Sequence, residues 1–361
     1  MRIPWHALGL PHKMANRGPV YFFHRVPSIA VTVVRFNRLV SMEETHTIDA
    51  YLVVLGLIWL IGLLVLVWRR RQLCGTTLLA PWAWSVVSLL TVGTAELLIG
   101  LDGSLSPNGW SAPLRFIAAT STFCPIVALL GAKRPQNSAW QFIVLSLWVI
   151  LGLPGFEGLL FGEVYEIHPA RCWFLAILVG IGLLNGIATR YWPSSVLFGA
   201  GQLALIAPYL PPTQPLFSAA AAPLWGLGFL TASWGLLALD LPRPRRSETP
   251  WDRTWLDFRD AYGAVWSLRI AERINASAVA CQSPVVLGWR GFRGRDASSA
   301  VAELPQPAAD TLRALLPRFV SRQWIDARLG ALAQRDCERI PIQASEHVAP
   351  SEAGQPVVRG R

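Results

Sequence analysis

The chain reads as an all-α protein: a polytopic helical membrane bundle of about seven transmembrane helices, followed by a small, mainly helical C-terminal cytoplasmic domain. Three observations predict it. Residues 50–68 are nineteen positions without a charge, set between Asp49 and the run Arg69, Arg70, Arg71. As a helix they span about 28 Å, close to the hydrocarbon thickness of a bilayer. The whole chain is 53% hydrophobic and only 15% charged, well below the roughly 25% charged of a typical soluble domain. Its charges are sparse between Asp49 and Asp240 and return to a soluble density from Arg243 onward. This divides the chain into a tail over 1–47, a transmembrane domain over 48–240, a cytoplasmic domain over 241–341 and a disordered tail over 342–361.

Each span carries its own signal. The first, 50–68, ends at the triple arginine, a cytoplasmic stop. The second, 79–99, has Pro81 in its first turn, where the missing N–H costs no hydrogen bond. The third, 114–132, lies between Arg115 and Lys133, with Pro125 as an expected kink. The fourth, 139–153, is expected to stop at Pro154 and Gly155, and the fifth covers 172–189. From Tyr191 to Leu239 there are forty-nine uncharged residues, far too many for one span. Pro208, Pro211, Pro212 and Pro215 divide them into a sixth span, 193–207, and a seventh, 218–239. The sixth is short, which leaves six or eight spans open.

Loop charges give the orientation. Arg69 to Arg71, Lys133, Arg134, Arg190, Arg243, Arg245 and Arg246 fall on one face. Asp102, Glu157, Glu163 and Glu166 fall on the other, with Arg115 and Arg171 as exceptions. The positive-inside rule then predicts an integral protein, of a bacterial cytoplasmic membrane, with its N-terminus outside and its C-terminal domain in the cytoplasm. Trp68, Trp82, Trp84, Trp140 and Trp192 form the inner aromatic belt. The formal charge of +10 is not a nucleic-acid signature, because from Ser247 onward fifteen arginines face thirteen acids. Residues 1–41 hold six basic residues, three histidines and no acid. A basic surface arm, a transit peptide and a start placed too early, with Met42 as the true first residue, compete for them. The missing acids and missing helical period favour Met42.

In the C-terminal part, Thr249 and Pro250 read as an N-cap and first helical residue. Trp251, Trp255, Phe258, Tyr262, Val265, Trp266, Ile270 and Ile274 then recur mostly at spacings of three and four, predicting one amphipathic helix over 251–274. A strand-like run at 284–289, a turn-rich stretch to Arg295 and helical patterns at 308–316 and 318–332 come after it.

Catalytic and cofactor signatures are lacking in the sequence. No predicted span contains a histidine for haem or an interior lysine for retinal. There is no His-Glu-x-x-His, Gly-x-Ser-x-Gly or phosphate-binding loop, and the five cysteines show no metal or redox spacing. Neither a catalytic residue nor a cofactor is assigned, and the reading leans away from an enzyme. Glu96 is the only acid clearly inside a predicted span, and Arg115 enters the next span at the same face. They are predicted to form an intramembrane ion pair, with a modest coupling on the order of 1 kcal/mol because both can reach headgroup water. Glu163, Glu166 and His168 in an outer loop are a weak metal-ligand candidate, better read as a solvated acidic loop. Asn185 and Gln202 read as interhelical hydrogen-bond partners. Gly180, Gly182, Gly186, Gly228 and Ala232 read as small residues for close helix packing. Arg290, Arg293 and Arg295 could meet anionic headgroups, with a plain charged turn as the simpler reading.

The function these features favour is a non-enzymatic membrane component: a scaffold, an assembly factor or a subunit of a membrane complex. Its partners are the bilayer and, through the 251–274 helix, another protein or a second copy. The alternative is a small-molecule transporter or permease using Glu96 and Arg115 beside the proline-broken sixth span.

Overall fold

The computed structural model describes residues 46–101, 109–134, 136–162, 167–210, 218, 220–242, 249–294 and 304–329. The expectations for Met42, Asp102, Glu163, Glu166, Arg243, Arg245, Arg246, Arg295 and the 342–361 tail lie outside these residues.

Apolar runs too long to leave their backbone groups unpaired in lipid close all of them within helices. Helix α1 (His46–Leu73) carries its helical hydrogen bonding through the three arginines, beyond the expected end at 68. Arginine is a good helix former, so the apolar boundary is not the helical one. The helix ends just before Gly75, whose φ of +81° is a left-handed conformation. Helix α2 (Leu79–Leu101) comes next. The third span is two pieces, α3 (Ser111–Ser121) and α4 (Cys124–Leu130). Pro125 has no N–H for the Ser121 carbonyl, and the turn before it tightens, with Thr122 N donating to Ala119 O and Phe123 N to Thr120 O. Two other helices supply the replacement donors. Ser88 Oγ donates to Ser121 O at 2.6 Å, and Gln202 Nε2 to Thr122 O at 2.8 Å.

Helix α5 (Asn137–Phe161) corrects the expected fourth span. It does not stop at Pro154 and Gly155 but includes Pro154 and ends at Gly162, in the left-handed region at φ 66°. A proline ends a helix readily where water can take over the freed groups. In an apolar span the alternatives are worse, and the helix continues. Helix α6 (Pro169–Ile187) is capped by His168, and α7 (Trp192–Ile206) runs into a 3-10 turn at Ala207–Tyr209. Helix α8 (Ala222–Ala238) starts later than the sequence predicts. Helices α1, α2, α3 with α4, α5 and α6 provide five stretches long and apolar enough to cross a membrane, and α8 is a shorter apolar helix.

Polarity is inverted relative to a water-soluble protein. Leu64, Phe142, Leu160, Trp173 and Leu184 are exposed on the bundle's outside, while Ser88, Glu96, Thr120, Gln202 and Ser233 are buried within it. Serines clasp α7 to α8, with Ser194 Oγ 2.9 Å from Ser233 Oγ and each hydroxyl reaching the other residue's carbonyl. Small residues pack these helices too, although not all of the expected ones. Gly182 faces Ile126 and Gly186 faces Ser195, whereas nothing lies within 4 Å of where side chains on Gly180 or Gly228 would begin. Gly201 and Gly226 make the close α7–α8 contact instead.

Helix α9 (Pro250–Ala280) is longer than the predicted 251–274 and is broken at Gly263, with φ 78° and ψ −172°. Its apolar side is filled by this chain. Trp255, Phe258, Tyr262, Trp266, Ile270 and Ile274 are buried in one core with Leu312, Leu316, Phe319 and Ile325. Phe319 meets Phe258, Tyr262 and Trp266 edge-on, with centroids 5.0–5.3 Å apart. A hairpin of β1 (Val285–Gly288) and β2 (Gly291–Gly294) pairs Val285 with Gly294 and Gly288 with Gly291. Asn275 fixes it, giving Nδ2 to Leu287 O and accepting Leu287 N. Helix α10 (Gln306–Leu315), a 3-10 turn and α11 (Arg322–Leu329) complete the described chain.

This C-terminal part does not stand off from the helices before it. Ala132, Leu78 and Leu129 share its core, and the described residues from Ile48 onward form one compact unit. Thr77 N donates to Phe319 O, Ser321 N to Gly75 O and Arg134 N to Arg318 O. Thr76 and Val320 form an antiparallel bridge. The bundle thus has an α9 end, and an opposite end at which Glu96 and Arg115 lie.

Candidate functional site

Helices α2 and α3 are antiparallel, and their register is set by hydroxyls. Ser88 reaches Ser121 O, and Thr91 Oγ1 lies 2.7 Å from Ser121 Oγ. The same register two turns on sets Glu96 opposite Arg115. The guanidinium grips the carboxylate with both prongs: Nε to Oε1 at 2.7 Å and Nη2 to Oε2 at 2.8 Å. Glu96 is 3% exposed and Arg115 21%. This two-pronged pairing is the strongest arrangement these groups can form, and it occupies both carboxylate oxygens.

Beside the pair is a small cavity of about 10 Å³, lined among others by Glu96, Arg115, Leu205, Tyr209 and Pro223. That is room for about one water-sized molecule. Two tyrosines tie the surrounding chain together. Tyr209 Oη donates to Ala112 O and Tyr51 Oη to Ala220 O, each at 3.0 Å. Sequence reasoning missed both. Tyr209 stands in the proline cluster that divides the sixth span from the seventh, and Tyr51 in the first span. The one usable signal was that phenols in apolar surroundings need an acceptor.

The other predicted residues have separate fates. His168 caps α6, its Nδ1 accepting from Ala170 N at 3.3 Å. Glu163 and Glu166 lie outside the described residues, among which no group of three His, Cys, Asp or Glu could hold a metal. Asn185 Oδ1 accepts from Val265 N at 3.0 Å. Gln202 holds the α3–α4 break, and its Oε1 is buried without a partner among the described residues.

A second charged cluster, of which the sequence singles out only Arg190 as an orientation marker and Asp240 as a boundary, lies at the α9 end. Arg190 contacts Asp240 at 2.7 Å and Asp260 at 3.5 Å, and Arg259 contacts Asp260 at 2.6 Å. Tyr191 hydrogen-bonds both Arg190 and Asp240. Burial, and then the bond to Asp240, push its phenol up to about 12. Arg259 Nη1 also donates to Trp289 O, and Trp289 Nε1 to Ala188 O. The cluster therefore links the ends of α6 and α8 to α9 and the hairpin. Its two arginines and two aspartates cancel, which suits a joint rather than a ligand site.

No family model, no curated protein and no solved structure matches the chain.

Proposed function

We propose that this chain is a non-enzymatic integral membrane component, acting as a scaffold, an assembly factor or a subunit of a membrane complex. The observation that carries the reading is the Glu96–Arg115 pair. The guanidinium takes up both carboxylate oxygens, and the adjoining space has room for about one water-sized molecule. A transport site needs a polar group with bonding capacity to spare and room for its cargo.

Seven crossings belong to the same reading. Contacts among the described residues sort into two ends that alternate along the chain. Residues near 51, 96, 115, 209 and 220 meet at one end, and residues near 77, 132, 185, 190, 240 and 262 at the other. That alternation supports one crossing each for α1, α2, α3 with α4, α5, α6, α7 and α8. With arginines and Lys133 concentrated at the α9 end, it supports an outside N-terminus and a cytoplasmic α9. The apolar face of 251–274 is used within the chain, so a partner would meet α9 on its other side, where Leu268, Glu272 and Val279 are exposed.

The test is extraction in mild detergent through a C-terminal tag, followed by mass measurement of the intact complex. A component of the proposed kind comes out with a stoichiometric partner. A chain recovered alone or as a homo-oligomer, with uptake activity in vesicles, would favour the small-molecule transporter.

A further inference from the structure

We infer that the α9 end of the bundle carries a binding patch for the phosphate of an anionic lipid headgroup, formed by Arg134, Arg318 and Arg322. The patch rests on the membrane reading alone, not on the scaffold role. Three segments distant in sequence meet at one atom, the carbonyl oxygen of Gly75. It accepts from Ser321 N at 2.7 Å and from Arg134 Nη2 at 3.2 Å. Arg134 N in turn donates to Arg318 O at 2.7 Å. Arg318 and Arg322 therefore flank the residues that bond the α1–α2 loop, and Arg134 crosses over it. A side chain at Gly75 would begin 2.7 Å from Ser321 Oγ, so the junction is closed tightly.

The three arginines are exposed, and the bonds at Gly75 bring their segments to one junction. Among the described residues every ion pair uses other arginines: Arg115, Arg190, Arg259, Arg313 and Arg328. No acid occurs between Arg69 and Ala95, between Ala128 and Phe156, or between Thr311 and Ile325. Asp326, one turn along α11 from Arg322, makes no ion pair with it. Lys133 in the α4–α5 loop and Arg71 in the last turn of α1 add positive charge to the same end. None of Arg134, Arg318 and Arg322 has a carboxylate partner among the described residues.

Depth selects a lipid. Trp68 is 57% exposed at the end of the apolar part of α1, as interfacial tryptophans are. The helix runs five residues further, to Leu73, about 7.5 Å along its axis, and Gly75 follows in the turn. That is headgroup height, where an anionic phosphate meets a guanidinium with two parallel N–H donors.

The full chain in mild detergent is titrated with phosphatidylglycerol, with phosphatidylcholine and with inorganic phosphate. Retained lipid is counted by native mass spectrometry and the thermal midpoint is followed. Phosphatidylglycerol is expected to be retained and to raise the midpoint, and the other two to do neither. Arg318→Gln with Arg322→Gln should weaken phosphatidylglycerol binding about 25-fold, at about fivefold per arginine near a membrane surface. Arg290→Gln with Arg293→Gln, on the hairpin, should leave it within about twofold. Equal stabilisation by phosphatidylcholine or by inorganic phosphate overturns the inference. So does equal weakening by the hairpin pair, or undiminished binding in Arg318→Gln with Arg322→Gln. If that variant fails to fold, the wild-type chain decides. Binding that does not fall between low salt and about 0.5 M salt is not electrostatic, and the patch is refuted.

Discussion

At the scale of single residues, Glu96 sets the energetics. A carboxylate 3% exposed and held by one guanidinium has no bulk water to fall back on. The modest coupling expected from the sequence assumed that both groups reach headgroup water, and Glu96 does not. Removing one partner of a buried pair leaves an uncompensated charge, which costs about 3–5 kcal/mol, while removing both is far milder. Glu96→Gln and Arg115→Gln should therefore each lower the unfolding midpoint in detergent strongly. The double variant should lie above the worse of the two singles. Thermal unfolding of the four proteins measures the cycle, and additive losses would mean that the two groups act independently. That these residues matter was legible because a charge stands out in an apolar span. Their depth was not legible, since it depends on Tyr209 and the α7 turn closing over them. The sequence offers only a proline cluster there.

At the scale of elements, the largest departure from the sequence pattern is in α9. The spacing of Trp255, Phe258, Tyr262, Trp266, Ile270 and Ile274 reads as one helix because both halves point their apolar residues into the same core. Periodicity cannot report a break that preserves the face. Gly263 makes the break, at a φ and ψ that are essentially restricted to glycine. Asn185 of α6 then accepts from Val265 N, supplying in trans the cap that the restarted helix lacks. The two readings differ in sign for one substitution. In a continuous helix Gly263→Ala would stabilise by about 1 kcal/mol. In the broken helix the alanine is strained, and its Cβ would begin 2.3 Å from Asn185 Nδ2. A loss of about 1–3 kcal/mol or more is expected. Denaturant or thermal unfolding gives the sign directly, and a stabilised Gly263→Ala would restore the continuous helix. The third span teaches the same lesson more gently. Pro125 announces a disturbance in the sequence, but the donors that repair it, Ser88 and Gln202, come from α2 and α7 and have no local signature.

At the scale of the whole molecule, the C-terminal part behaves as a clamp on the bundle. Its segment at 316–321 is stitched by backbone hydrogen bonds to both the α1–α2 and the α4–α5 loops. Tyr262 Oη donates to Phe319 O at 2.8 Å and lies 3.1 Å from Thr77 Oγ1. A composition shift at Arg243 marks where the apolar sequence ends, and it was legible for that reason. It carries no information on whether the polar C-terminal part is tethered or docked. Docking makes the topology testable with native side chains. Cys74 in the α1–α2 loop and Cys281 after α9 are both exposed, whereas Cys124 and Cys172 are buried. With Cys337→Ser as background, the fold requires Cys74 and Cys281 to react from the same side of the membrane, because their segments meet the same core. The positive-inside rule predicts that side to be the cytoplasm. A membrane-impermeant maleimide should label neither thiol in intact cells and both in inverted vesicles. Labelling of both in intact cells would reverse the orientation but keep the fold. Labelling of one from each side would break the docking itself, and with it the stitched junction at Gly75.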